Sequence, residues 1–232
     1  MKKILSLLIA VILAGGLWWA MRPSGFDTGA PLVSQGVAID LLQDLDTDNL
    51  SEGWVHRTFF TASAAEYQMT EEDGTVALRC ATTNSASILA RDTQISLEAL
   101  PFLHWQWKVT KPIESDVDEA SKEGDDHPVR LFLVFSNESG DRNAMEIIWS
   151  NKKYAPGGYK IIGDFYHYVA NGLNENIGEW HSQTVDLRQI YSDIGGTGTP
   201  TLQVLGFFCD SDNTGAQSEG FFRDVRLSGT DG

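Results

Sequence analysis

The sequence predicts an all-β domain, a two-sheet antiparallel β-sandwich of jelly-roll type preceded by an N-terminal apolar segment. Three features point there. From Trp54 onward apolar residues recur with a period near two, the spacing that puts alternate side chains on one face of a strand. The runs are short, rich in Val, Ile, Thr and aromatic residues, and separated by the turn formers Gly, Asp, Asn and Ser. Only the stretches 37–45 and 186–191 have helical spacing, and neither is long enough to cover a sheet, so helix-layered architectures are excluded.

Strands are expected at 54–60, 66–70, 75–81, 85–92, 102–110, 129–136, 144–149, 159–162, 165–169, 180–186, 201–210 and 221–227. A helix is expected over 37–45, apolar at Val37, Leu41, Leu42 and Leu45, and a short helical turn near 186–191. Alternation assigns faces. Trp105, Trp107 and Val109 oppose His104, Gln106 and Lys108; Val76, Leu78 and Cys80 oppose Arg79. Val129, Leu131, Leu133 and Phe135 oppose Arg130, and Met145, Ile147 and Trp149 oppose Glu146. The apolar sides are expected to form the core. If these strands neighbour one another in one sheet, Arg79, Gln106, Lys108, Arg130 and Glu146 gather on its other face as a ligand-binding surface.

Lys2 and Lys3 precede a run from Ile4 to Met21 without a charge, which is an export signal. It reads either as a signal peptide cut after Gly16 or as an uncleaved anchor, since the run reaches the roughly 18 apolar residues of a membrane span. We favour the anchor, which places Trp18 and Trp19 at the outer interface. The expected organisation is a signal peptide or membrane anchor at 1–21, a Pro/Gly/Ser/Thr-rich linker at 22–36 and the β-sandwich domain at 37–232. The domain then stands in the periplasm or cell envelope. A formal charge of −15 excludes nucleic acid as a partner, because phosphate backbones call for a basic surface. Cys80 and Cys209 both lie in apolar strand segments. An oxidising compartment permits a disulfide between them, and two buried thiols are the alternative.

The order of short motifs carries a family resemblance. WQWKV at 105–109, GDD at 124–126, Arg130, the stretch 143–149, Trp180 and DSDNTG at 210–215 together resemble a bacterial exported family known as domain of unknown function 3047, over about 54–227. The resemblance implies an exported β-sandwich similar in outline to carbohydrate-binding modules and polysaccharide-lyase jelly rolls. It brings no established activity.

Two loops are candidates for a hard cation. Asp210, Asp212 and Thr214 place oxygens on alternate residues before Gly215, and calcium needs such oxygens gathered by a chain that doubles back. Asp125 and Asp126 could complete the site. The alternative is a pair of strand-ending turns capped by their own Asp and Asn side chains. Calcium is therefore an optional structural ion, and no cofactor is required.

The polar residues suit a sugar chain, which calls for planar donors, carboxylates and an aromatic platform. Arg79, Lys108 and Arg130 would suit uronic acids, unless they pair with Glu146, Asp210 or Asp224 in a structural network. No nucleophile elbow, zinc signature or phosphate loop occurs, and His56, His104, His127, His167 and His181 have no ligand spacing. The expected function is non-enzymatic binding of a carbohydrate or other envelope ligand. The alternatives are a polysaccharide lyase using Tyr159, Lys160, Tyr166 and His167, a hydrolase with two carboxylates across a cleft, and a protein–protein interaction domain.

Overall fold

Alternating strands bury their apolar sides by stacking two sheets, and the chain does this. The computed structural model describes residues 25–34 and 36–231, so the expected anchor at 1–21 lies outside the described residues. Among the described residues no helix is long and apolar enough to cross a membrane.

The first sheet contains β1 (Ala38–Asp40), β3 (Glu66–Glu72), β4 (Thr75–Thr83), β6 (Phe102–Lys111), β11 (His181–Asp186) and β13 (Gln217–Ser228). Its order is β11–β6–β13–β4–β3, with β1 paired to β13. The second contains β2 (Trp54–Thr58), β5 (Ala86–Ser96), β7 (Arg130–Ser136), β8 (Arg142–Trp149), β9 (Tyr159–Ile162), β10 (Phe165–Asn171) and β12 (Thr201–Asp210). Its order is β2–β5–β12–β7–β8–β10–β9. Every expected strand is present with its ends shifted by a few residues.

Three features depart from expectation. The pairing of β10 with β8 is parallel, whereas the sequence suggested antiparallel sheets throughout. After β8 the chain crosses to the sheet edge, forms β9 and turns back at Gly163, φ 61°, so that β10 inserts between β9 and β8. The helix expected over 37–45 is absent. Residues 38–40 form β1 against 226–228 of β13, the Leu41 amide donates to the Val225 carbonyl at 2.8 Å, and Asp40 Oδ1 accepts from the Leu42 amide at 2.8 Å. Backbone groups committed to a sheet edge are lost to a helix. Finally, residues 25–34, expected as linker, pack along the second sheet, with Phe26 on its outer face and Leu32 beside β5. Thr28 donates from its amide and hydroxyl to Asp92 Oδ2 at 2.8 and 2.7 Å, and Leu32 exchanges backbone bonds with Asp92 and Gln94. Phe26 is thereby buried against Phe132, ring centroids 5.5 Å apart. The expected turn near 186–191 is helix α1 (Leu187–Asp193), capped by Asp186, whose side chain accepts from the Arg188 amide.

The core lies between the sheets. Trp105 and Trp107 of β6, Leu78 of β4 and Phe222 of β13 face Leu131, Leu133 and Phe135 of β7, Trp149 of β8 and Phe207 of β12. Trp107 meets Trp149 at 5.9 Å and Phe207 meets Phe222 at 5.1 Å between centroids, so aromatic contacts span the two layers. Cys80 of β4 is disulfide-bonded to Cys209 of β12, closing a separation of 129 residues.

A cross-link between positions so distant in sequence restricts the unfolded chain strongly. Replacing both cysteines by alanine should lower the unfolding free energy by about 2–4 kcal/mol, read from urea denaturation. An unchanged midpoint would show that the bridge does not contribute.

Candidate functional site

One end of the outer face of the second sheet concentrates the buried charge of the molecule. Inward positions of β7, β8, β10 and β12 are apolar, so alternation turns Arg130, Glu146, His167, Phe208 and Asp210 outward. The register then sets them side by side. Arg130 lies opposite Phe208, Phe132 opposite Glu146, Glu146 opposite His167, and His167 opposite Lys160.

Arg130 is buried and saturated. Its Nη1 donates to Glu146 Oε2 at 2.7 Å and its Nε to Asp210 Oδ1 at 3.1 Å, while Nη2 donates to Asp210 Oδ2 and the Asp125 carbonyl. Its guanidinium carbon stands 4.7 Å from the centroid of the Phe208 ring. Burial alone would lower its pKa, but the carboxylates of Asp210, Glu146 and Asp125 raise it well above the usual value. Burial pushes the Asp210 carboxyl up and Asp126 adds to that, while Arg130 and the His127 amide pull it down. Two donors from Arg130 and the His127 amide converge on its oxygens, the geometry of the ionised form.

Lys160 forms a second centre. Its Nζ donates to Asp125 Oδ1 at 2.6 Å and to His127 Nε2 at 2.9 Å. An ammonium only donates, so His127 accepts at Nε2 and donates from Nδ1 to the Trp149 carbonyl at 3.1 Å, the neutral tautomer. Burial and the Lys160 charge hold its pKa well below 6.5. Burial also lowers His167, whose Nε2 lies 3.5 Å from Glu146 and 3.6 Å from Asp125. Burial works against ionising Asp125, but the neighbouring Arg130 charge outweighs it and holds the carboxyl well below the usual carboxylate range.

Above these groups lies a cleft of about 290 Å³ lined by the rings of Phe59, Phe165 and Phe208 together with Arg130, Glu146, His167, Asp125, Asp212 and Asn213. Phe60, next to Phe59, is fully exposed. A larger groove on the first sheet, about 480 Å³ around Arg79, Thr82, Gln217 and Glu219, is lined by no aromatic ring.

The expected single polar face is corrected. Arg79, Gln106 and Lys108 lie on the first sheet and Arg130 and Glu146 on the second, because β4 and β6 pair with β13 whereas β7 and β8 pair with each other. The cations are also engaged. Arg79 pairs with Glu219 at 2.6 Å, and Lys108 with Glu72 and with Asp73 at 2.9 Å; Gln106 accepts from Arg223 Nε at 2.8 Å. A uronate would find no free guanidinium or ammonium at Arg79 or Lys108. The lyase constellation divides likewise: Tyr159 and Tyr166 pack against the core, while Lys160 and His167 face outward. Sequence reasoning assigned no role to His127 or to the rings of Phe165 and Phe208. For the two rings, the position two residues from His167 and from Asp210 on the same strand was the available signal.

Of the expected cation ligands, Asp126, Asp210 and Asp212 converge, each offering an oxygen within 4.8 Å of the others. Asp125 points instead to Lys160. The Asp126 carboxylate already accepts from Asn213 N and Nδ2 and from Thr214 N and Oγ1, at 2.5 to 3.3 Å. With Asp210 held by Arg130, the donor set fits a capped turn better than a calcium cage. Burial and then Asp126 raise the pKa of Asp212, which has no cationic partner among the described residues.

A family model described as "Protein of unknown function (DUF3047)" matches residues 52–226. No curated protein matches the chain. Solved structures with similarity include the enzymatically active domain of bacteriophage CBA120 tailspike protein 4, at 8% identity and TM-score 0.39, covering 75% of this chain and 19% of that one. A non-crystalline-cellulose-specific module, CBM28, has 12% identity and TM-score 0.37, covering 86% and 98%. A variant of the family 29 module CBM29-2 has 11% identity and TM-score 0.34, covering 78% and 85%. These likenesses do not bear on ligand or activity.

Both buried histidines have lowered pKa values, so the unfolded chain binds more protons below its value near 6.5. Their contribution is complete above that pH and declines as pH falls. Unfolding free energy should drop between pH 7.5 and 5.5 by up to about 1.4 kcal/mol per histidine, with a shallower slope in His127→Gln. A flat profile would contradict neutral burial. Arg130→Ala should cost about 3–5 kcal/mol, by stranding two buried carboxylates, measured by denaturant unfolding.

Proposed function

We propose, for a chain that belongs to the DUF3047 family of proteins of unknown function, that the outer cleft of the second sheet binds a carbohydrate without turning it over. The observation that carries this reading is the cleft itself, where the rings of Phe59, Phe165 and Phe208 flank the carboxylates of Asp125 and Asp212 and the amide of Asn213. A sugar presents apolar C–H faces and a girdle of hydroxyls, so it is held by ring faces with a few fixed donors and acceptors. The groove on the first sheet supplies polar groups without a platform.

The ion pairs beneath the cleft position this surface. Arg130 fixes Glu146 and Asp210, Lys160 fixes Asp125, and Asp126 fixes the loop bearing Asp212 and Asn213. Calcium is not required in this reading, because Asp126 and Asp210 are satisfied by protein donors. The reading places the domain outside the cytoplasmic membrane, exported by the apolar run from Ile4 to Met21 that follows Lys2 and Lys3.

A glycan array probed with the protein, in calcium and in chelator, should show calcium-independent retention, and mass spectrometry should recover the retained glycan intact. Phe165→Ala should weaken retention about tenfold, the scale of one lost ring contact. Retention on no glycan would overturn the proposal. Recovery of shortened chains would move the protein to the hydrolytic reading, and calcium-dependent retention would restore the ion.

A further inference from the structure

The charges lining the cleft are unbalanced. Arg130 is consumed by Glu146 and Asp210, which already outnumber it, and Asp125 is answered from below by Lys160. Lys122, though exposed, also lines the cleft, and His167 is held neutral by its burial, so the lining carboxylates of Asp125, Glu146, Asp210 and Asp212 still outnumber the cations Lys122 and Arg130. Asp212 is half-buried beside the carboxylate of Asp126, which is itself fully buried and held only by the uncharged donors of Asn213 and Thr214. The cleft therefore presents excess negative charge next to the exposed parts of aromatic rings.

From this we infer that the ligand carries positive charge: a glycan with free amino groups, one of whose ammonium groups pairs with Asp212 while the sugar faces lie on Phe59 and Phe165. The inference rests on the carbohydrate reading above and narrows its substrate class. An ammonium is matched by a carboxylate and by the negative faces of aromatic rings at once. A uronate would meet like charge, and a neutral sugar would cover Asp212 and leave it uncompensated. A divalent cation needs six or more oxygens for calcium, and the nearest ones, on Asp126 and Asp210, are already engaged by Thr214, Asn213 and Arg130. An ammonium needs only one or two acceptors.

The test is calorimetric titration of the full chain, at slightly acidic pH, with chitin oligosaccharides of one length, fully N-acetylated and fully de-N-acetylated, and with oligogalacturonate. The de-N-acetylated form should bind about tenfold more tightly than the acetylated one. Added salt should shrink the difference, and Asp212→Asn should abolish it. That variant should fold normally, since it removes a like-charge neighbour of Asp126. Equal or tighter binding of the acetylated form, or preference for the uronate, would overturn the inference and leave the carbohydrate reading standing. Calcium chloride alone binding to the protein, and losing that binding in Asp212→Asn, would assign the carboxylate to an ion and overturn it as well. Binding of none of the three sugars would overturn the inference, while the carbohydrate reading stands or falls with the glycan array.

Discussion

A guanidinium with almost no exposure must have its N–H groups answered from within the protein, and Arg130 imposes that demand on three other segments at once. Its partners come from β8 (Glu146), the end of β12 (Asp210) and the loop before β7 (the Asp125 carbonyl). Placing them correctly requires the second sheet to be assembled in its observed order, with β7 between β12 and β8. The cost of burying one cation between two carboxylates is offset only when this geometry is complete. The ion network thus ties the loops at 125–127 and 211–214 to the sheet and gives the cleft its shape.

The two outer faces of the sandwich are used differently. On the first sheet Arg79 pairs with Glu219 in a half-exposed contact that contributes little to stability individually, Arg223 stacks 3.9 Å from the Trp180 ring centroid, and Lys108 is buried against Glu72 and Asp73. On the second sheet Phe26, Ile88, Phe132, Val134 and Phe208 form a separate apolar layer. The strap at 25–34 covers one part of that layer, and the charged cluster borders the other. The rings that flank the cleft are the uncovered margin of this layer, so the same apolar face serves the strap and the proposed ligand.

The strand pattern was highly legible because one buried face per strand imposes alternation on neighbouring residues, a local signal. The short helical turn near 186–191 was legible for the same reason. The helix suggested by Val37, Leu41, Leu42 and Leu45 failed because β13 offers residues 38–40 a sheet partner almost two hundred positions away, which no local spacing reports. The candidate site was legible in parts. Arg130 and Glu146 were singled out by their polar outward positions, and Asp125 and Asp210 as candidate cation ligands, yet their partnership with Lys160, His127 and His167 was not.

The sequence by itself determined that the described chain would be strands, which side of each strand would be apolar, and that acidic turns would follow β12 and precede β7. Short-range alternation and turn chemistry carry that information. Only the tertiary structure decided which strands share a sheet, and so that Arg79, Gln106 and Lys108 are separated from Arg130 and Glu146. It also decided that β10 runs parallel to β8, which brings His167 beside Glu146. Strand order and crossover depend on packing between residues far apart in the chain, where a polar residue facing outward looks the same whichever sheet it joins.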